Sequence, residues 1–171
     1  MTIKINDKDL ATAANEGMDQ FLTTIINAFK QQVGEEELNA QAMQQLTADQ
    51  ITLWGYMILR DELMDGGFVQ LIYNGYGPFF FDNPFAKAMR LWGLHDFSKL
   101  LYKAKKVYDE HKADLTKERS DEDFMALFEQ YPEFDDLDDA FVEMEEEVTD
   151  TICHYVDEHL EDFVSVVKDK E

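Results

Sequence analysis

DDAFVEMEEEVTDTICHYVDEHLEDFVSVV, residues 138–167, is the stretch that decides the fold. Phe141, Met144, Val148, Ile152 and Tyr155, with Leu137 just ahead, recur every three or four residues, the period of a helix with one buried face. On a wheel of about 100° per residue, Asp139, Glu143, Glu146, Asp150, Asp157 and Glu161 fall along one line on the opposite side. The pattern predicts a long helix from about Asp138 to Val167 that buries one side and displays carboxylates on the other. Acids four residues apart mildly destabilise an isolated helix, so tertiary packing has to hold this one.

Around that helix the charge is segregated. Of 37 acidic residues, twenty-two lie from Asp114 onward against four Lys or Arg, a balance of −18 within a total of −22. Residues 1–86 balance at −8 and residues 87–113 at +4. So charged a chain needs apolar mass to fold, and a hydrophobic fraction of 45% with thirteen Phe supplies it. Lys99, Lys103, Lys105, Lys106 and Lys112 form one basic stretch between two acidic regions. Charge runs are usually solvated faces, and these lysines are expected to offset acidic neighbours within the fold or across a dimer.

Three-to-four-residue periodicity continues through the rest of the chain, and no run alternates as a half-buried strand would. Leu10, Ala14, Met18, Phe21, Ile25 and Phe29 line one face of a first helix that Gly34 stops. A weak polar helix covers about residues 35–46. Thr47 then caps a stronger one with Ile51, Trp54, Ile58 and Leu63 inward, ended by Gly66-Gly67. Phe68 to Asn74 reads as a short buried helix, and Phe79, Phe80 and Phe81 plug the core. Asn83 and Pro84 start a helix over 84–92, followed by the basic helix at about 95–112 with Leu100, Leu101, Ala104 and Val107 on its apolar side. Ser120 caps a short helix that turns Phe124, Leu127 and Phe128 inward and ends before Pro132. The expectation is an all-α fold, with residues 1–171 forming a single compact multi-helix domain that ends in a long acidic helix.

Catalytic constellations are missing from this pattern. The three Ser, at 98, 120 and 165, lie in no nucleophile-elbow context. Cys153 and His154 are helical neighbours whose side chains diverge by about 100°, so they make no nucleophile–base pair, and Cys153 reads as a filler. Asp150, His154 and Glu158 share a helical face, a spacing that so acidic a helix produces by chance; no Glu-x-x-His ligand pair exists. DDLDDAFVEMEE, from Asp135, places Leu137 and Ala140 where a calcium loop needs an oxygen ligand and Gly. No phosphate loop or dinucleotide fingerprint occurs. The reading is a binding protein without metal or cofactor. MTIKINDKDL has no apolar signal region, no run approaches membrane-spanning length, and one Cys suits a reducing compartment, so a cytoplasmic protein is expected.

The partner such a surface selects is basic. Eleven acids between Asp138 and Asp162 correspond to one charge per roughly 3.3 Å of helix. A strand of duplex DNA carries one per about 3.4 Å. A row of carboxylates is, on charge alone, most simply a solubilising face. Steering of a basic protein by so strong a field is the functional alternative, with direct binding of nucleic acid excluded by like charge.

RDELMDGGFVQLIYNGYG, residues 60–77, carries a further signal. Glu62, Gly66, Gly67, Phe68, Gln70, Tyr73 and Asn74 match a Glu, a variable pair, Asn-Gly-Gly-Phe, a Gln two residues on, and aromatics leading to Asn. Asp65 replaces the usual Asn and Leu71 stands where an aromatic is common. With this motif the chain resembles a bacterial family of DNA-mimic proteins catalogued mainly as a domain of unknown function. The motif residues look structural: Gly66 and Gly67 allow a sharp helix-to-helix corner, Phe68 fills the space beside it, and Gln70 and Asn74 are placed to satisfy buried backbone groups. The resemblance implies an acidic, helical, dimeric protein that binds a transcriptional regulator and keeps it from DNA. Joined to the acidic helix read above, it makes the expected partner a basic regulator or nucleoid protein, met through Asp139, Glu143, Glu146, Asp150, Asp157 and Glu161, with a homodimer expected. The competing reading is an acidic immunity or antitoxin-like factor that neutralises a basic toxin or nuclease.

Overall fold

Helix dominates the computed structural model, which describes residues 3–168. In chain order the elements are β1 (Lys4–Asn6), α1 (Asp7–Glu16), α2 (Met18–Val33), α3 (Ala40–Gln45), α4 (Ala48–Leu71), a π turn (Ile72–Tyr76) and α5 (Gly77–Phe81). There follow α6 (Phe85–Leu91), α7 (His95–Leu115), α8 (Asp121–Gln130), α9 (Glu133–Glu158), a 3-10 turn (Leu160–Asp162) and β2 (Ser165–Val167). The fold is all-α with a long acidic C-terminal helix, and among the described residues its strand content is one short parallel pair, in register Lys4↔Ser165, Ile5↔Val166 and Asn6↔Val167. None of the helices among the described residues is long and apolar enough to cross a membrane. The residues group into two units, Ile58–Val148 and the chain on either side of it, and α4 and α9 each contribute to both.

In the unit built from both chain ends, local signals set the helix limits. The Asn6 side chain caps α1 by accepting from the backbone N–H groups of Lys8 and Asp9 at 2.8 and 3.2 Å. Gly17, at φ 132° and ψ 176°, interrupts what the apolar spacing presents as one helix, so Leu10 and Phe21 to Phe29 belong to two. Leu10, Phe21, Ile25 and Phe29 are buried as expected, whereas Ala14 and Met18, beside the break, are exposed. Thr47 and Gln50 form a capping box at the start of α4, with N···O distances of 3.2 and 2.9 Å, and the Gln50 amide also reaches the Phe163 carbonyl at 2.8 Å. The core includes Leu22, Ile25, Phe29, Leu53, Ile152 and Val156, all fully buried, with the Tyr56 and Thr149 hydroxyls joined at 2.7 Å.

In the Ile58–Val148 unit the core is aromatic. Phe68 sits 5.9 Å from Phe134 and 6.4 Å from Phe81, which in turn lies 5.0 Å from Tyr108. Phe97 and Phe141 meet at 5.7 Å. Of the three consecutive Phe, residues 80 and 81 are buried and Phe79 only half-buried. Backbone breaks at Gly67 (φ 73°) and Gly75 (φ 93°) bound residues 68–74, which form a short, largely buried helical segment, as the sequence pattern predicts, running from the end of α4 into the π turn.

The largest departure from the sequence pattern concerns the ends of the acidic helix. It begins at Glu133 rather than Asp138, and it stops at Glu158 rather than Val167. Beyond it the chain makes the 3-10 turn and pairs as β2 against β1, where the Ser165 N–H donates to the Ile3 carbonyl at 2.7 Å. The alternation that would have marked a strand is absent in three residues, Ser165–Val167, so the helical period masks it.

Candidate partner-binding surface

Asp139, Glu143, Glu146, Asp150 and Asp157 all lie on α9 and are all exposed, while Phe141, Val148 and Ile152 on its other side are buried. Glu161 is exposed too, but it sits on the 3-10 turn and not on the helical row. Of the acids that composition assigns to the row, two serve the fold instead. Glu145 pairs with Arg60 at 3.6 Å, and Asp138 is half-buried against the corner at Gly67. With Glu147 and Glu158 counted in, seven exposed carboxylates remain between Asp139 and Glu158, one per about 4 Å of helix. That density stays close to a DNA strand.

Their positions along the helix separate structural acids from unexplained ones. Glu133, Asp135 and Asp136 occupy the first turn of α9, and Asp121, Glu122 and Asp123 that of α8, where a negative charge meets the positive end of the macrodipole. Asp157 and Glu158 sit in the last turn of α9, which has no basic residue, and there the dipole opposes them by about 0.3–1 kcal/mol each at low salt. Among the described residues no Lys or Arg pairs with Asp139, Glu143, Glu146, Glu147, Asp150, Asp157 or Glu158; Asp150 has only His154, at 3.4 Å. Folding therefore does not account for these seven charges.

The motif residues make a corner. Gly67 has φ 73° and ψ −168°, a conformation open to Gly alone. A Cβ there would also stand 2.3 Å from the Asp138 carboxylate, which accepts the Phe68 N–H at 2.8 Å. Burial, together with the charges of Asp135 and Asp139, outweighs that hydrogen bond and raises the Asp138 carboxyl to about 6. Gln70 and Asn74 do not satisfy backbone groups as their spacing suggests; both donate to Glu62, at 2.9 and 3.0 Å, and Gln70 also to Asp65 at 3.0 Å. Tyr73 packs at a tilt against Phe124, with ring centroids 4.5 Å apart, and donates to the Arg119 carbonyl at 3.0 Å. Asp138 is the member that sequence reading missed, because its partner lies seventy positions away.

Other charged residues also divide between fold and surface. Asp114 is held below the ordinary carboxyl value by hydrogen bonds from Tyr131 and Arg119, and the Tyr131 hydroxyl is pushed up to about 12, largely by burial. Of the basic stretch only Lys105 is paired, to Asp109 at 3.0 Å, so Lys99, Lys103, Lys106 and Lys112 do not offset acidic neighbours within the described chain.

A groove opens in the chain-end unit where the corner between α1 and α2 meets the last turns of α9. Ala14, Met18 and Phe21 line it with Cys153, and Asp150 and Asp157 stand among its walls. Burial, with the charges of Asp150, Asp157 and Asp19, pushes the Cys153 thiol up to about 11, the reverse of an activated nucleophile. Among the described residues no cluster of three side chains could hold a metal ion.

Comparison with known proteins follows the same lines. The family model for DMP19-like protein matches residues 44–159, which include the Gly67 corner and all of α9. A DNA mimic protein, DMP19, of Neisseria meningitidis serogroup B is 34% identical over 149 residues, covering 85% of this chain and 87% of its own.

Proposed function

The chain belongs to the DMP19-like protein family, and from that premise we propose that it acts as a DNA mimic. It occupies the DNA-binding surface of a basic protein, a transcriptional regulator or nucleoid protein, and is a binding protein rather than an enzyme. The observation that carries this is the row of exposed carboxylates on α9, without Lys or Arg partners among the described residues and continued into a helix end where negative charge is unfavourable. A basic DNA-binding surface supplies what those carboxylates lack. Multiple weak charge pairs of this kind steer association strongly and are screened by salt.

The homodimer belongs to the same proposal. Lys99, Lys103 and Lys106 are exposed on one face of α7 without an ion pair among the described residues, and they are cations of the kind a second copy's carboxylates would meet. Sedimentation equilibrium at two salt concentrations reads this out, and a monomer at both would remove it. For the mimicry itself, the test is competition. A basic partner recovered from the native lysate is titrated with labelled duplex DNA, then with this protein. Displacement of DNA is expected, and simultaneous binding of both would refute the reading. Recovery of a toxin or nuclease that does not bind DNA through the same surface would favour the immunity-factor alternative.

A further inference from the structure

We propose that the groove at the α1–α2 corner is a socket for one arginine or lysine side chain of the basic partner, whose aliphatic stem lies on Ala14, Met18 and Phe21 and whose charged head meets Asp157. This rests on the DNA-mimic reading and names the contact that would make one site on the surface more than a charge. The groove encloses about 200 Å³. That is below the roughly 300–1,000 Å³ of pockets that take drug-sized ligands, and is the scale of a side chain.

The chemistry of the walls points the same way. Met18 is 36% exposed and Ala14 is exposed, so the apolar floor is unfilled, and a Cβ built on Gly17 meets nothing within 4 Å. Only long basic side chains combine an apolar stem with a cationic head, and they bury the one while charging the other. Asp150 already has His154 at 3.4 Å, which leaves Asp157 as the wall carboxylate without a partner among the described residues. Asp157 is also one of the two acids that the helix end disfavours, and a cation docked there would relieve that charge.

The consequence is a difference between mimic and original. A phosphate receives the head of an arginine but gives its stem no bed. The socket would add an apolar contact that salt does not screen, so part of the affinity should survive at ionic strengths that release DNA. Each methylene withdrawn from water multiplies affinity roughly fourfold, so burying two gives roughly tenfold or more.

The test uses the full-length, ¹⁵N-labelled protein titrated with butylguanidinium, which has stem and head, and with guanidinium, which has the head alone. Expected are saturable amide shifts at Ala14, Gly17, Met18 and Cys153, with butylguanidinium binding at least tenfold more tightly than guanidinium. Asp157→Asn should remove most of that binding, and Ala14→Trp, which fills the groove from an exposed position, should abolish it without lowering the melting temperature. Equal affinities for the two probes, or small shifts spread evenly along α9, would overturn the socket. So would a change in sedimenting mass on Ala14→Trp, which would mean that a second copy fills the groove. Failure of the socket alone leaves the partner displaced by DNA as before. If partner, DNA and this protein bind together, the mimic reading falls and the socket with it.

Discussion

Replacing Asp138 by Asn should stabilise the protein at neutral pH, even though it alters a side chain that holds the central corner. The carboxylate is half-buried beside Gly67, accepts the Phe68 N–H at 2.8 Å, and has Asp135 and Asp139 as like-charged neighbours. Its carboxyl rises from the ordinary 3.8 to about 6. At 1.36 kcal/mol per tenfold this corresponds to about 3 kcal/mol, and its remaining solvent contact reduces that to about 1–2 kcal/mol. The folded chain holds the proton more tightly than the unfolded one. The group's contribution to stability is therefore fully present below pH 3.8 and is lost as pH rises through about 6. Asn keeps an oxygen for the Phe68 N–H but carries no charge, so Asp138→Asn should gain about 1–2 kcal/mol over wild type at pH 8 and converge with it near pH 4. Asp138→Ala, which lacks the acceptor as well, should be less stable than Asp138→Asn at every pH. Urea unfolding of the three proteins, followed by circular dichroism from pH 4 to pH 8, decides this. Relief of general charge repulsion at low pH affects all three alike, so the difference curves isolate the one group. An Asp138→Asn protein less stable than wild type at pH 8, or a difference that does not change with pH, would refute the reasoning.

Gly67→Ala should lower stability by at least about 1–3 kcal/mol, since the residue would be strained at φ 73°, ψ −168° and its Cβ would press on the Asp138 carboxylate; a melting temperature equal to wild type would contradict the corner as described. Reversing Glu143, Glu146 and Asp150 to Lys should leave the far-UV spectrum unchanged, because all three are exposed, while weakening the partner at least tenfold in low salt; an unchanged affinity would move the interface off α9. Because α4 and α9 contribute to both units, chemical unfolding should follow one transition with tryptophan fluorescence and circular dichroism coincident; two separated transitions would make the units independent domains.

Which features were legible in the sequence depends on how far apart their causes lie along it. The α9 pattern is local, with Phe141, Val148 and Ile152 buried and Asp139, Glu143 and Glu146 exposed as their spacing requires. The Thr47 cap and the Gly67 break are local too, because a hydroxyl three residues from a glutamine and a glycine pair act over one turn. The split at Gly17 was present as a glycine inside a helical run, but Ala14 and Met18 continue the apolar period across it and hide it. The strand at Ser165–Val167 forms only because Lys4–Asn6 arrives beside it, a pairing across most of the chain. Asp138 and Glu145 count toward the charge density of the helix because composition alone cannot tell a carboxylate facing Phe68 or Arg60 from one facing water.

That distinction bears on function more than the total charge does. A net charge of −22 is compatible with a merely soluble surface, since acids at helix N-termini, in ion pairs and against backbone N–H groups are all accounted for by folding. Removing those leaves exposed acids on several elements, and on α9 a set of seven that ends in Asp157 and Glu158 at the negative end of the helix dipole. A solubilising face would have no reason to concentrate charge where the helix resists it, when the exposed Ala11 and Thr12 of α1 offer positions ahead of the last turn. The seven exposed carboxylates of α9 approach the spacing of DNA phosphates, and two of them stand in the walls of a groove that DNA does not possess. On the proposed reading, mimicry of charge and discrimination by shape both involve α9, and reversal of Glu143 and Glu146 should remove the first while Ala14→Trp removes the second.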